Sequence, residues 1–166
     1  SSIASIPSEI VFVLLNCEDM NPETIRQLND TKNAVLIIET NNEHRLSQLR
    51  QIFWDLKEAE CTLPVIIKTT YATTDGETMM LHSSTDCGSL LIDGYGDGLW
   101  INAAQIQPSV INSTAFGILQ ASRTRISKTE YISCPSCGRT LFNLQETTAK
   151  IRQVTDHLKG VKIGIM

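Results

Sequence analysis

Along the first hundred residues, apolar and polar positions alternate between two rhythms. IVFVLL (Ile10 to Leu15) is a continuous apolar run of strand length. AVLII (Ala34 to Ile38) is a second, and VIIKTT, opening behind Pro64, is a third. SLLID (Ser89 to Asp93) reads as a fourth strand and LWI (Leu99 to Ile101) as a short fifth. Strands that are apolar throughout belong to parallel sheets, where helices cover the faces. Between these runs the period lengthens. Asn21, Pro22 and Glu23 open a short helical stretch with Ile25 and Leu28 three apart. Residues 43–59 carry Leu46, Leu49, Ile52, Phe53 and Leu56 at spacings of three and four, which predicts an amphipathic helix. Strands separated by helical stretches predict βαβ units. The expected fold class is α/β: a partial (β/α) barrel-like or open parallel-sheet region. The pattern alone does not choose between the two.

Near residue 105 the texture changes. AQIQPSVINS contains Pro108 and reads as a connection, and residues 111–122 read as a helix. A loop holding two cysteines follows. Asn143 has the character of an N-cap, with Glu146 three positions later as in a capping box. Leu144, Thr148, Ile151, Val154 and Leu158 give that helix one largely apolar face, and Lys159 and Gly160 mark its end. VKIGIM then reads as a strand. These patterns predict two domains, 1–105 and 106–166.

Composition narrows the function classes. The chain has 166 residues, 42% of them apolar and 19% charged, and a net charge of −4, so a broadly basic nucleic-acid footprint is absent. No apolar run approaches the ~18 residues of a membrane span, and SSIASIPSEI lacks the charged and apolar regions of a signal peptide. Five cysteines without regular pairing argue against a disulfide framework and for a reducing compartment such as the cytoplasm. The first residue is not Met and the last strand simply stops, so the chain reads as a stretch of a longer protein.

The densest chemistry lies in YISCPSCGRTLFNLQ (Tyr131 to Gln145), where Cys134 and Cys137 flank Pro and Ser. Cysteines at i and i+3 present two thiolates on one side of a tight turn, enough for half of a metal site. A thioredoxin-like redox pair would need a helix beginning at the first cysteine, and here the helix starts well after Cys137. A structural zinc site needs two further ligands, and no second paired motif supplies them. Half of an iron–sulfur site needs further ligands as well. Spacing leaves these readings level, with a purely structural pair beside them.

The surrounding residues say more. TEYISCPSCGRTLFNLQ followed by VKIGIM resembles the C-terminal iron–sulfur domain of the 4-hydroxy-3-methylbut-2-enyl diphosphate synthase family. LLIDGYGDGLWI (Leu90 to Ile101), upstream of Arg123-Thr-Arg125, is similar to the long form of these enzymes, which inserts an extra domain between the catalytic barrel and the cluster domain. The resemblance implies the end of the inserted spacer domain over 1–105 and a truncated α/β iron–sulfur cluster domain over 106–166. It implies a 4Fe–4S cluster in the full-length protein, with Cys134 and Cys137 as two ligands. A third cysteine is expected just after Gly164-Ile165-Met166, and a glutamate in a Gly-Pro-Gly-Glu element beyond it. It implies a cyclic diphosphate substrate bound mainly by a barrel upstream of Ser1, with ferredoxin or flavodoxin as electron donor. With half the ligands elsewhere, the chain by itself is expected to be inactive and without a cluster. The rival expectation is a freestanding α/β module whose cysteine pair binds zinc.

Other polar residues carry weaker expectations. Arg123, Arg125, Lys128 and Arg139 surround the cysteine motif and are candidate neighbours of a cluster or a diphosphate. Asp93, Asp97 and the glycines of DGYGDG read as turn geometry in a βα loop, because two aspartates would repel phosphate. Glu130 reads as a partner for a nearby arginine. His44, His82 and His157 read as ordinary surface residues. Cys17, Cys61 and Cys87 read as small buried side chains, and Met79, Met80 and Leu81 as packing.

Overall fold

A computed structural model of the chain describes residues 10–31, 33–134 and 141–165. The chain divides into two compact units, residues 1–124 and 125–166.

The first unit is built on four strands, β1 (Val11–Asn16), β2 (Ala34–Glu39), β3 (Val65–Thr70) and β4 (Gly98–Asn102), adjacent in chain order and all parallel. Four helical connections accompany them: α1 (Pro22–Asn29), α2 (Arg45–Glu58), a run of α3 (Gly76–Ser83), a wide π turn (Ser84–Gly88) and α4 (Ser89–Ile92), and finally α5 (Pro108–Ala121). Local chemistry sets the starts. Asn21 caps α1 by accepting the Thr24 N–H at 2.9 Å, with Pro22 in the first turn, where its missing donor costs nothing. Asp75 caps α3, accepting both the N–H and the hydroxyl of Thr78, and these bonds hold its carboxyl below the usual range.

One face of this sheet makes the core. Leu36, Ile38, Val65, Ile67 and Ile101 pack with Ile25 and Leu28 of α1, Leu49, Ile52, Phe53 and Leu56 of α2, Met79, Cys87 and Leu90 of the α3–α4 run, and Ile118 of α5. Right-handed crossovers between strands in sequential order place every helix on the same side. The opposite face carries Phe12 (60% exposed), Leu14 (52%), Ile37 (6%) and Trp100 (48%), none of which joins that core.

The structure corrects several expectations. SLLID is not a strand: Ser89–Ile92 is the last turn of the helical run, with Leu90 and Leu91 turned into the core and Ile92 outward. A short apolar run has no period long enough to tell a buried strand from a buried helix. The segment before it, Gly76–Gly88, is helical too, although its mixed polar pattern predicts no element. Within it Met79 is buried, while Met80 and Leu81 face outward. DGYGDG joins α4 to β4, so it is an αβ rather than a βα connection, and its turn geometry is evident: Gly96 sits at φ +87, where an added Cβ would lie 2.8 Å from Ile67 Cδ1. Asp97 accepts the Val65 N–H at 2.9 Å, and Asp93 pairs with Arg50. The unit boundary falls after Thr124, later than the change of texture near 105, because α5 seats Ile118 in the first core.

The second unit is one βαβ motif. Strand β5 (Glu130–Ser133) runs parallel to β6 (Lys162–Ile165), with Ser133 opposite Ile165, and α6 (Leu144–Thr155) connects them. EYIS is too short and too polar to announce β5; its partner β6 supplies the ladder. Helix α6 ends at Thr155 rather than at Gly160. The Thr129 hydroxyl donates to the carbonyls of Thr155 and Leu158, occupying acceptors that a longer helix would have used. Gly160 still adopts φ +76, in the turn into β6. Of the expected apolar face, Val154 is 68% exposed and the remaining members are half-buried. Among the described residues no helix is long and apolar enough to cross a membrane.

Candidate functional site

Cys134 is the first residue past β5. Its N–H donates to the Ile165 carbonyl at 3.1 Å, continuing the β5–β6 ladder by one step, and its thiol is free and half-buried. Backbone pairing fixes its position. It lies at the carboxyl edge of a parallel pair, the edge where α/β units gather ligands because the strands end and the following helix begins there.

That helix, α6, starts at the same edge. Asn143 accepts the N–H groups of Gln145 and Glu146 at 3.1 and 3.2 Å, as the capping pattern predicts, and Glu146 lies in the first turn. The remaining orphan N–H groups and the helix dipole make this edge the more positive end of the motif, favourable to a thiolate or another anion. The unit is braced along its length by hydroxyl contacts: Ser133 with Thr148 at 3.3 Å and Tyr131 with Thr155 at 2.9 Å. The Arg152 guanidinium lies 5.1 Å from the centroid of the Tyr131 ring. None of these braces was legible as a motif; they are threonines whose role depends on which strand faces the helix.

The other expected site residues fall in three places. Cys137 and Arg139 lie outside the described residues. Arg125 and Lys128 precede β5 and so enter at the end of that strand opposite Cys134. At ~3.3 Å per residue, the strand keeps Lys128 well away from the thiol along its axis. Arg123 belongs to the first unit, where it follows the Ser122 cap of α5 at φ +66 and donates its N–H to Gln120. The structure thus brings the α6 N-terminus, and not Arg125 or Lys128, to the edge that holds Cys134.

The donor set at that edge is a soft sulfur ligand, suited to iron–sulfur or zinc chemistry. Among the described residues no group of three or more His, Cys, Asp or Glu converges to hold a metal ion, so Cys134 fits such a site as a single corner. Cys17 and Cys87 do not extend it. Both are buried in the first core, and burial pushes each thiol up to about 11. Cys61 is half-buried.

The first unit assembles one polar cluster that no spacing in the sequence signals. Arg45, at the start of α2, pairs with Asp86 of the π turn at 2.9 Å and lies over the Tyr71 ring; the Tyr71 hydroxyl also donates to Asp86 at 2.9 Å. Burial raises the Tyr71 hydroxyl well above its ordinary range. Forty-one positions separate Arg45 from Asp86, and only the fold brings them together. The cluster ties α2 to the α3–α4 run.

Comparison with known proteins supplies the context. No protein-family model matches the chain. It is 44% identical over 155 residues to the 4-hydroxy-3-methylbut-2-en-1-yl diphosphate synthase (flavodoxin) of Parabacteroides distasonis, covering 93% of this chain and 25% of that protein. With the Protochlamydia amoebophila protein of the same name it shares 47% over 131 residues, covering 79% and 20%. With the chloroplastic, ferredoxin-named synthase of Arabidopsis thaliana it shares 44% over 123 residues, covering 74% and 17%. The chain therefore spans about a quarter of the length of the curated relatives it matches first. Over most of its length the chain is thus similar to one stretch, about a quarter, of proteins named 4-hydroxy-3-methylbut-2-en-1-yl diphosphate synthase.

Proposed function

We propose that this chain is the spacer end and the first cluster-binding half of an enzyme that reductively opens 2-C-methyl-D-erythritol 2,4-cyclodiphosphate to 4-hydroxy-3-methylbut-2-enyl diphosphate. The observation that carries the reading is the placement of Cys134: a backbone-anchored thiol at the carboxyl edge of a parallel βαβ motif, one step beyond the β5–β6 ladder. That register ends β5 and β6 side by side at the same edge. A third cysteine just after Met166, as the family resemblance implies, would then approach the Cys134–Cys137 pair from the neighbouring strand.

Cys134 and Cys137 would hold two corners of a 4Fe–4S cluster, with the third cysteine and a glutamate supplied by the longer polypeptide. When bound, the cluster supplies the one-electron steps of a ring opening that takes up two electrons and releases water. The chain's own residues do the positioning. The β5–β6 ladder fixes the Cys134 backbone, and the Thr148 and Thr155 contacts hold α6 against β5. The N-terminus of α6 offsets negative charge gathered at that edge. Arg139 is retained as a neighbour of the cluster or substrate. Arg123, Arg125 and Lys128 are retained as diphosphate contacts, a role that does not require them to stand beside Cys134. The cyclic diphosphate is bound mainly by a separate barrel, and electrons come from flavodoxin or ferredoxin, the donors in the relatives' names. The first unit serves as a spacer between barrel and cluster. The chain alone is inactive in this reading, because half the ligands are elsewhere.

The test is anaerobic reconstitution of the full-length protein. A broad absorption band near ~400 nm, turnover of the cyclic diphosphate with a reduced donor, and loss of both in Cys134→Ser are the expected results. Tight zinc in place of that band would turn the assignment over to the zinc-module reading.

A further inference from the structure

The seam between β5 and α6 is polar where a parallel βαβ unit ordinarily packs apolar side chains. Thr129, Tyr131 and Ser133 alternate along the strand and share the face that meets the helix, and each presents a hydroxyl to it. These bonds have a direction. Thr148 donates its own proton to the Leu144 carbonyl at 2.7 Å, and Thr155 donates to the Ile151 carbonyl at 2.6 Å. A hydroxyl has a single proton to give. In the contacts at 3.3 and 2.9 Å, Ser133 and Tyr131 are therefore the donors and the two helix threonines the acceptors. Thr129 donates as well, to the carbonyls of Thr155 and Leu158. All of these bonds run from strand to helix.

Together they fix where α6 stands along the strand. Ser133 and Tyr131 are two residues apart, ~6.6 Å on a strand, whereas Thr148 and Thr155 are seven apart, ~10.5 Å on a helix. The short Ser133 side chain meets Thr148 directly. The long Tyr131 ring, with the Arg152 guanidinium 5.1 Å from its centroid, spans the difference to Thr155. Two unequal spacings are satisfied together at one axial position of the helix, and a slide of one residue, ~1.5 Å, disturbs both. An apolar seam has no such preference, because hydrophobic contact is non-directional. No residue of α6 is buried, so apolar packing does not set the position in its place.

We infer that Ser133 and Thr148 are positioning residues for the cluster, their bond setting how the start of α6 stands to Cys134. The inference rests on the reading of Cys134 and Cys137 as cluster ligands. Ser133 immediately precedes Cys134, and Thr148 lies one turn into the helix that Asn143 caps. Residues 135–142, which carry Cys137, join those two points. Fixing the separation of the points fixes the span across which the second cysteine is presented beside the first. The Tyr131–Thr155 and Thr129 bonds hold the other end of α6, so their loss is felt there first. Groups that orient metal ligands without touching the metal are worth about 10–100-fold in metal affinity or activity.

The experiment uses the full-length protein, reconstituted anaerobically, as Thr148→Val, Ser133→Ala and Thr148→Ser. Tyr131→Phe, which loses the same kind of bond two residues further from Cys134, is the reference. In Thr148→Val and Ser133→Ala the cluster is expected to be lost to a chelator about 10-fold faster, with an altered electron paramagnetic resonance spectrum of its reduced form. The kcat should fall about 10-fold, with KM for the cyclic diphosphate within about twofold. Thr148→Ser keeps the hydroxyl and should restore all of these, and Tyr131→Phe should leave the spectrum and kcat unchanged. Equal effects of Tyr131→Phe and Thr148→Val overturn the inference, because the bonds then only brace the unit; so does a Thr148→Ser protein that behaves like Thr148→Val. Hydrogen exchange on the protein without its cluster should show faster exchange at the start of α6 in Thr148→Val, with β5 and β6 still protected. If protection is lost throughout β5 and β6 in that variant, Ser133→Ala, at an exposed position, decides. Tight zinc and no band near ~400 nm in the unsubstituted protein would remove the enzymatic reading, and the exchange pattern would still decide whether the bond positions the helix.

Discussion

The two units of this chain use the same motif, a parallel strand followed by a helix, and reach opposite energetic positions. In the first, four repeats of the motif share one core, and Leu36, Ile38, Leu49, Ile67 and Leu90 are fully buried. In the second, a single βαβ motif buries only Ile165 and Thr129 among its described residues, and no residue of α6 is buried. An isolated two-stranded sheet with one helix buries too little apolar surface to be stable alone. The second unit instead relies on capping and hydroxyl contacts, which are individually small. A shared core holds the first unit together by itself, whereas a lightly packed motif with an anchored thiol at its edge suits a site that other segments complete.

Core truncation should separate the units most sharply. Leu49→Ala is expected to cost about 3–4 kcal/mol in denaturant unfolding, because it removes a fully buried side chain and leaves a cavity. Val154→Ala on α6 should stay within about 0.5 kcal/mol. Equal losses would mean that α6 is packed far more tightly than its exposure shows.

Glycine replacement gives the next largest difference. Gly96→Ala combines a left-handed backbone with a Cβ driven against Ile67, and a loss of about 2–4 kcal/mol is expected. Gly160 has the same backbone hand but open space around it, so Gly160→Ala should cost only about 1–2 kcal/mol. Thermal melts of the two variants that fail to rank this way would break the assignment of Gly96 to a crowded turn.

Capping should contribute less, and similarly in both units. Asn21→Ala and Asn143→Ala each remove a side-chain acceptor from a helix N-terminus, for an expected loss of about 1 kcal/mol. The readouts differ, however. Hydrogen exchange should show local fraying of α6 in Asn143→Ala and little change in α1 for Asn21→Ala, where the core holds the helix in place.

The thiols offer the mildest probe. Burial holds Cys17 and Cys87 protonated up to about pH 11, whereas an unfolded thiol ionises near ~8.5. Between those values the folded chain binds more protons than the unfolded one, so this contribution to stability is complete below ~8.5 and is lost as pH rises through about 11. Denaturant midpoints should therefore fall above pH 9, less so in Cys17→Ala. At neutral pH a thiol reagent should modify Cys134 well before Cys17 or Cys87.

Much of this architecture was legible beforehand because each strand of the first unit is apolar enough to show itself. Val11–Asn16, Ala34–Glu39 and Val65–Thr70 lie within a residue of the expected runs, and α2 follows its spacing. The failures are equally physical. Ser89–Ile92 is apolar for the same reason a strand would be, namely that it is buried, and four residues cannot reveal a period. β5 is polar because its stability comes from pairing with β6, twenty-nine residues after its own end, and from hydroxyl contacts. The cysteine pair was visible as chemistry but not as geometry: nothing in CPSC shows that Cys134 would be tied to Ile165.

By itself, then, the sequence determined the α/β class, the helix caps at Asn21 and Asn143, and the family to which the chain is related. Those properties reside in local periodicity, short-range hydrogen bonding and residue identity. Only the tertiary structure decided that every helix of the first unit lies on one side, that the opposite face is uncovered among the described residues, and that Cys134 stands with the α6 N-terminus at one edge while Lys128 enters at the other. The reason is common to all three. Strand order, crossover hand and register are relations between distant segments, and they are settled when those segments pair.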